Sequence, residues 1–167
     1  MRKIVGIATF KGREKALQKA IESLQYQCDE IIIYDNEVNP NLTDNGKFYG
    51  LTLQDKPCYF FTCDDDLQYP PNYISTMVDA IENHKTIVTH HGRELIGVNR
   101  SYYRGHKNFR CLDENNTIKQ IDVCGTGVTG FRTDYFNPTE LYKSKDKRMS
   151  DLVFSLETKK QGKKITI

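Results

Sequence analysis

The sequence contains no Cys-x-x-Cys pair, no Gly-x-Gly-x-x-Gly run in the turn after its first apolar segment, no internal repeat and no low-complexity segment. Each absence removes a class of protein. The five cysteines, Cys28, Cys58, Cys63, Cys111 and Cys124, are odd in number and offer no zinc-ligand spacing and no disulfide framework. Several lie in apolar runs, where a thiol acts as a small hydrophobe, and a reducing cytosol suits them. The missing glycine fingerprint argues against a dinucleotide-binding Rossmann site. No apolar stretch approaches the ~20 residues that span a bilayer. The apolar segment after Met1-Arg2-Lys3 is too short for a signal-peptide core with a cleavage site. An excess of basic charge is also lacking: 24 Lys and Arg face 22 Asp and Glu, for a net charge of +2. That leaves no electrostatic footprint for nucleic acid. Lysines do gather late, at Lys143, Lys145 and Lys147 and again at Lys159, Lys160, Lys163 and Lys164. A solvated face is the plain reading of them, and a patch for an anionic acceptor or a membrane surface is the other.

What is present is an α/β pattern. At 167 residues the chain is expected to form one domain, 1–167, with a real core. Lys3 to Phe10 is nearly continuous in apolar residues, as a strand buried on both faces is. Arg13 to Tyr26 carries Leu17, Ala20, Ile21 and Leu24 on one helical stripe. Glu30 to Tyr34 reads as a second strand, ending at Asp35. Glu37 to Gly46 reads as a loop, with a short helix from Gly46 to Leu51. Tyr59 to Cys63 is a strand, Pro71 to His84 a helix with Ile74, Met77, Val78 and Ile81 on one face, and Thr86 to Thr89 another strand. Phe109–Leu112 and Ile118–Val123, flanking Asn115-Asn116, predict a hairpin that forms a small antiparallel flap. The glycine-dense run from Gly125 to Phe131 predicts either close backbone approach or a tight turn entering an edge strand. Ser150 to Gln161 predicts a last helix with Leu152, Val153 and Leu156 facing the core, and Lys164 to Ile167 begins a strand.

The chemistry concentrates between Phe60 and Pro71. There an apolar strand runs into Asp64, Asp65 and Asp66, and Tyr69-Pro70-Pro71 then opens a helix. Three adjacent carboxylates repel one another, and apolar flanks strengthen the repulsion. A cation at that place relieves it. Hard divalent ions such as Mg²⁺ and Mn²⁺ take carboxylate oxygens and share the rest of their shell with water and substrate phosphates. An acidic turn with a helix N-cap is the alternative, since Asp is favoured in both.

The order of these elements resembles the nucleotide-sugar-dependent glycosyltransferases of the GT-A fold, family-2-like, of small bacterial and large-virus type. The resemblance rests on β-α-β with Asp35 closing the second strand, Asp44-x-Gly46-Lys47, the acid triplet with Tyr69-Pro70-Pro71, His91-Gly92, Gly125-Thr126-Gly127 and Met149-Ser150-Asp151. It covers nearly the whole chain. It implies a Rossmann-like, mostly parallel central sheet flanked by helices. It also implies a donor that is a nucleoside-diphosphate sugar, a UDP-sugar by family habit, a glycan or glycolipid acceptor, and Mn²⁺ or Mg²⁺ as cofactor.

Position by position, the resemblance assigns Ala8, Thr9 and Arg13 to the nucleoside pocket and Asp35 to the pyrimidine ring. Asp44 and Lys47 fall in the loop near base and phosphates. Asp64 to Asp66 match the metal-binding Asp-x-Asp, with Asp64 and Asp66 as metal ligands and Asp64 and Asp65 near the nucleotide. Gly125, Thr126 and Gly127 match the loop beside sugar and acceptor, with His91 at the same place. Asp151 matches the general base of inverting members. Two departures stand out. The base is a lone acid in Ser150-Asp151 where many members carry two acids. Many members also continue past the final strand, so the resemblance implies an acceptor side that is incomplete or completed by another chain.

Two competing readings remain at this level. A metal-dependent sugar nucleotidyltransferase also sets acids at strand ends, and Lys11-Gly12-Arg13 is a thin version of its phosphate loop. A non-catalytic nucleotide- or glycan-binding module is the other. The expected location is cytoplasmic, with peripheral attachment to a membrane, or a virus-encoded enzyme acting in a host cytoplasm, as variants.

Overall fold

A computed structural model describes residues 1–97, 103–112 and 118–167. Its large sheet grows from the apolar runs. β1 (Lys3–Thr9), β2 (Glu30–Asp35) and β3 (Tyr59–Asp64) pair in parallel, with β1 in the middle. β4 (Ile87–Thr89) and β9 (Val128–Arg132) follow, then β10 (Ile165–Thr166) and β7 (Gln120–Ile121), in the order β2-β1-β3-β9-β4-β10-β7. A separate three-stranded antiparallel sheet has the order β6-β5-β8, from β5 (Gly92–Leu95), β6 (His106–Phe109) and β8 (Val123–Cys124).

Alternation along the strands divides the core into two layers. On one face Val5, Ile7, Phe61 and Cys63 pack with Ala20 and Leu24 of α1 (Glu14–Leu24) and with Ile74, Met77 and Ile81 of α2 (Tyr73–His84). On the other face Ile4, Phe60 and Phe131 meet Phe48, Leu51, Phe136 and Phe154. Phe48 and Leu51 come from a 3₁₀ segment, Thr43–Leu53, and Phe154 from α3 (Ser150–Lys160). Gly6 makes the second layer possible. A Cβ there would overlap the Lys47 carbonyl oxygen and the Phe60 ring, so only glycine lets the 3₁₀ segment lie flat on β1.

Four expectations change. The glycine-dense run does not enter an edge strand, because β9 sits between β3 and β4, antiparallel to both. The short helix read over 46–51 becomes a longer 3₁₀ segment, Thr43–Leu53, which begins inside the stretch read as a loop. In the flap, β5 pairs with β6 and with β8, while β7 leaves for the large sheet. The Asn115-Asn116 turn lies outside the described residues. In α3 the buried positions are Ser150, Phe154, Ser155 and Thr158, and Leu156 is 49% exposed. The reason is aromatic packing: the Phe154 ring lies 5.2–5.7 Å from those of Phe48, Phe131 and Phe136. The hydroxyls carried inward with it are satisfied. Ser155 donates to the Asp151 carbonyl at 2.6 Å and Thr158 to the Phe154 carbonyl at 3.0 Å.

All five cysteines are free thiols, and burial pushes Cys63 and Cys124 up to about 12, so both stay protonated and inert. No helix among the described residues is long and apolar enough to cross a membrane.

Phe154→Ala is expected to cost about 3–5 kcal/mol in urea unfolding, and Leu156→Ala under about 1 kcal/mol. Equal losses would contradict the observed facing of α3.

Candidate functional site

The sheet brings the carboxyl ends of β1, β2 and β3 to one edge, the edge at which open α/β sheets bind ligands. At the end of β3 stands the acid triplet, and two of its three members already have cations. Lys47 pairs with Asp64. The Lys47 side chain is only 4% exposed, yet it stays charged: burial pushes its pKa down, and Asp64, Asp44 and Asp151 outweigh this and raise it. Asp65, 2% exposed, accepts from Thr9 Oγ1 at 2.8 Å and from Arg13 at 2.6 Å. The bond to Asp65 holds Arg13 more firmly protonated. Arg13 also reaches Asp66 at 3.3 Å, but Asp66 is 52% exposed.

The triplet is pinned to the glycine loop by Tyr69. Its hydroxyl accepts from the Asp64 backbone N–H at 2.8 Å and donates to the Gly127 carbonyl at 2.7 Å. Gly127 in turn lies so close to Asp64 that a Cβ would overlap the carboxylate. Gly125 is pressed against the His91 ring in the same way.

Asp151 stands in the first turn of α3. Its Oδ1 accepts from the Thr126 N–H and from Thr126 Oγ1, both at 2.8 Å. Thr126 has one hydroxyl proton and spends it there, so Ser150 Oγ–H must be the donor in the 3.0 Å contact between the two hydroxyls. One cleft of about 270 Å³ then gathers Arg13, Asp44, Lys47, Asp64, Asp66, Thr126, Arg148, Met149, Ser150 and Asp151. Desolvation raises the Asp44 carboxyl above its ordinary range.

A second cleft of about 380 Å³ holds Thr9, Phe10, Lys11 and Asp35. Thr9, Asp65 and Arg13 link the two clefts through their hydrogen bonds. Ala8 is buried in β1, opposite Tyr34 and Asp64 in register, and lines neither cleft. His91 and the two glycines support the site from behind rather than line it. Arg148 was not singled out from sequence, and Tyr69 and Met149 entered only as members of the Tyr69-Pro70-Pro71 and Met149-Ser150-Asp151 motifs, without a role. The Tyr-Pro-Pro turn was the only signal for Tyr69, and Arg148 lay in a stretch read as solvated.

The exposed carboxylates suit a hard cation. Asp64 and Asp66 supply oxygen only, and one or two carboxylates plus substrate phosphates are what Mg²⁺ usually takes. No group of three His, Cys, Asp or Glu converges among the described residues, so there is no all-protein cage. The phosphate-loop-like segment Lys11-Gly12-Arg13 has its arginine held by Asp65 and Asp66, which weakens the nucleotidyltransferase reading.

A mostly parallel sheet between helical layers, with an acid-ended third strand and an antiparallel flap, defines a GT-A-fold domain. The family model for glycosyl transferase family 2 matches residues 49–139, just over half of the sequence, and the chain belongs to that family. The matched stretch holds Asp64 to Asp66, His91 and Gly125 to Gly127. Among solved structures, the crystal structure of A197 from STIV is similar with a TM-score of 0.54, covering 99% of this chain and 81% of that one at 15% identity. At that identity the likeness is one of fold. No curated protein matches the sequence.

Gly127→Ala is expected to destabilise by about 1–3 kcal/mol, because the new methyl meets a carboxylate that Tyr69 and Lys47 hold in place. A double-mutant cycle with Asp64→Ala should show coupling of at least ~0.5 kcal/mol. Additive losses would mean that the two residues do not touch.

Proposed function

We propose that the chain transfers a sugar from a nucleoside-diphosphate sugar, a UDP-sugar, to a hydroxyl of a glycan or glycolipid acceptor, with inversion and with Asp151 as general base. The observation that carries this reading is the sharing of one cleft by Asp151 and by Asp64 and Asp66. Both Thr126 bonds fall on Oδ1, which fixes the orientation of the carboxylate through one oxygen.

Asp64 and Asp66 are the residues that would hold Mn²⁺ or Mg²⁺. When bound, such an ion neutralises charge on the diphosphate without moving a proton. The second cleft suits the nucleoside, with Asp35 toward the base and Thr9 beside it. Asp65 and Arg13 brace the wall between nucleoside and sugar, and Asp44 and Lys47 stand beside Asp64. Gly125, Thr126, Gly127 and His91 shape the side where sugar and acceptor meet.

The reaction is one displacement. The acceptor oxygen bonds to the anomeric carbon as its proton passes to Asp151. The bond from that carbon to the diphosphate oxygen breaks, and its electron pair leaves with the diphosphate. The transition state has oxocarbenium character, so a carboxylate on the acceptor side and orientation of both substrates are what the chain must supply.

Asp151→Asn keeps an Oδ1 for Thr126 and removes the proton acceptor. Transfer should fall by on the order of 10²–10⁴ while donor binding persists. Product NMR should show inversion in the parent. Near-normal turnover by the variant, or a retained configuration, removes Asp151 from the role of base.

Asp66→Ala takes away an exposed carboxylate that, among the described residues, Arg13 alone touches, at 3.3 Å. It should abolish Mn²⁺-supported donor binding in calorimetry with the thermal midpoint nearly unchanged. Donor binding equal to the parent's in Mn²⁺ would exclude Asp66 as a ligand.

A further inference from the structure

Arg13 and Lys47 are committed to carboxylates of the triplet. Arg148 lines the same cleft and is exposed, and its guanidinium makes no hydrogen bond or ion pair among the described residues. Its backbone is also unusual. Arg148 has φ 64, in the left-handed region that costs free energy for any residue with a Cβ. Its N–H donates to Thr43 Oγ1 at 3.2 Å, and Thr43 is itself left-handed at φ 53. Beside it, Lys147 Nζ donates to the Asn41 carbonyl at 2.6 Å. The segment before α3 is therefore clasped to the start of the 3₁₀ segment, and the clasp sets a free guanidinium at the rim of the cleft. Strain of this kind persists only where surrounding contacts over-determine it.

The charges in the cleft say what such a cation is for. The lining acids Asp44, Asp64, Asp66 and Asp151 face Arg13, Lys47 and Arg148. Two of these cations are already paired. A diphosphate brings further negative charge into a cleft with no spare partner except Arg148. Guanidinium presents a planar fork that matches phosphate oxygens bidentately, and the first turn of α3 opens on the same cleft, where a helix dipole also favours an anion. We propose that Arg148 is a diphosphate-binding residue of this cleft, holding the leaving group of the donor. The assignment rests on the glycosyl-transfer reading above.

Calorimetry in Mn²⁺ with inorganic pyrophosphate and with UDP, GDP and TDP tests it. Arg148→Gln should weaken pyrophosphate and the best-bound nucleotide by about tenfold or more, and Arg148→Lys should weaken them less. Arg148→Gly should lose the same affinity while its thermal midpoint rises, because glycine accepts the left-handed conformation without cost. A merely structural role would lower affinity and midpoint together and would overturn the assignment. Equal pyrophosphate affinity in the parent and in Arg148→Gln overturns it too, as does a change confined to the KM of an acidic acceptor. If the parent binds none of these anions, the reading of the cleft as a donor site falls and takes the assignment with it.

Discussion

Three adjacent carboxylates at the end of a buried strand are the constraint on which the rest of the cleft depends. Side by side they repel one another, and neighbours of the opposite sign relieve that repulsion. The chain supplies two. Arg13, just ahead of α1, takes Asp65, and Lys47 of the 3₁₀ segment takes Asp64. Removing Arg13 would leave the buried Asp65 carboxylate without its cation, and removing Asp64 would leave the buried Lys47 ammonium unpaired, each of which costs more than the pair is worth. Placing Lys47 requires the 3₁₀ segment to lie against β1, and that requires Gly6. Thus a glycine in the first strand and an acid in the third are parts of one electrostatic arrangement.

The other half of the cleft comes from the later chain. β9 runs antiparallel beside β3, so its start meets the end of β3, and Gly127 lies against Asp64. Tyr69 ties the two ends through one hydroxyl that both accepts and donates. Thr126 then extends the contact to Asp151, and α3 is anchored beneath by Phe154 in its aromatic cluster. The geometry of Asp151 is set less by its own helix than by a loop about 25 residues earlier, since Thr126 holds it by two bonds.

Much of this was legible. Continuous apolar runs gave β1 to β3, and helical stripes gave α1 and α2, because burial on two faces or on one leaves different periods in sequence. The triplet stood out because three like charges meet at a strand end, while Asp151, an acid where helices commonly start, was marked by the family resemblance. What sequence did not carry were relations between distant segments. Nothing in Gly125 to Phe131 distinguishes an edge strand from a central one; only the neighbours β3 and β4 do. Leu156 looked like core by type, but a phenylalanine two positions earlier claims the interior and turns the helix. Arg148 sat among lysines that read as solvated, and a left-handed arginine has no sequence mark, since glycine and asparagine are the usual bearers of that conformation. Tyr69 looked like a turn residue because the partner that gives it a role, the Gly127 carbonyl, lies 58 residues away.

The positions of Arg13 and Lys47 have a consequence for how the molecule is made. Both precede the triplet in the chain, as do β1 and β2. A polypeptide leaves the ribosome amino end first, so each acid of the triplet emerges after its counter-ion. Residues 3–66 alone hold the parallel trio of β1, β2 and β3 together with the acids and their matching cations. Thr126, Arg148 and Asp151 arrive last. Synthesis therefore delivers an electrostatically quiet acid cluster first and completes the cleft around it only when the final helix docks.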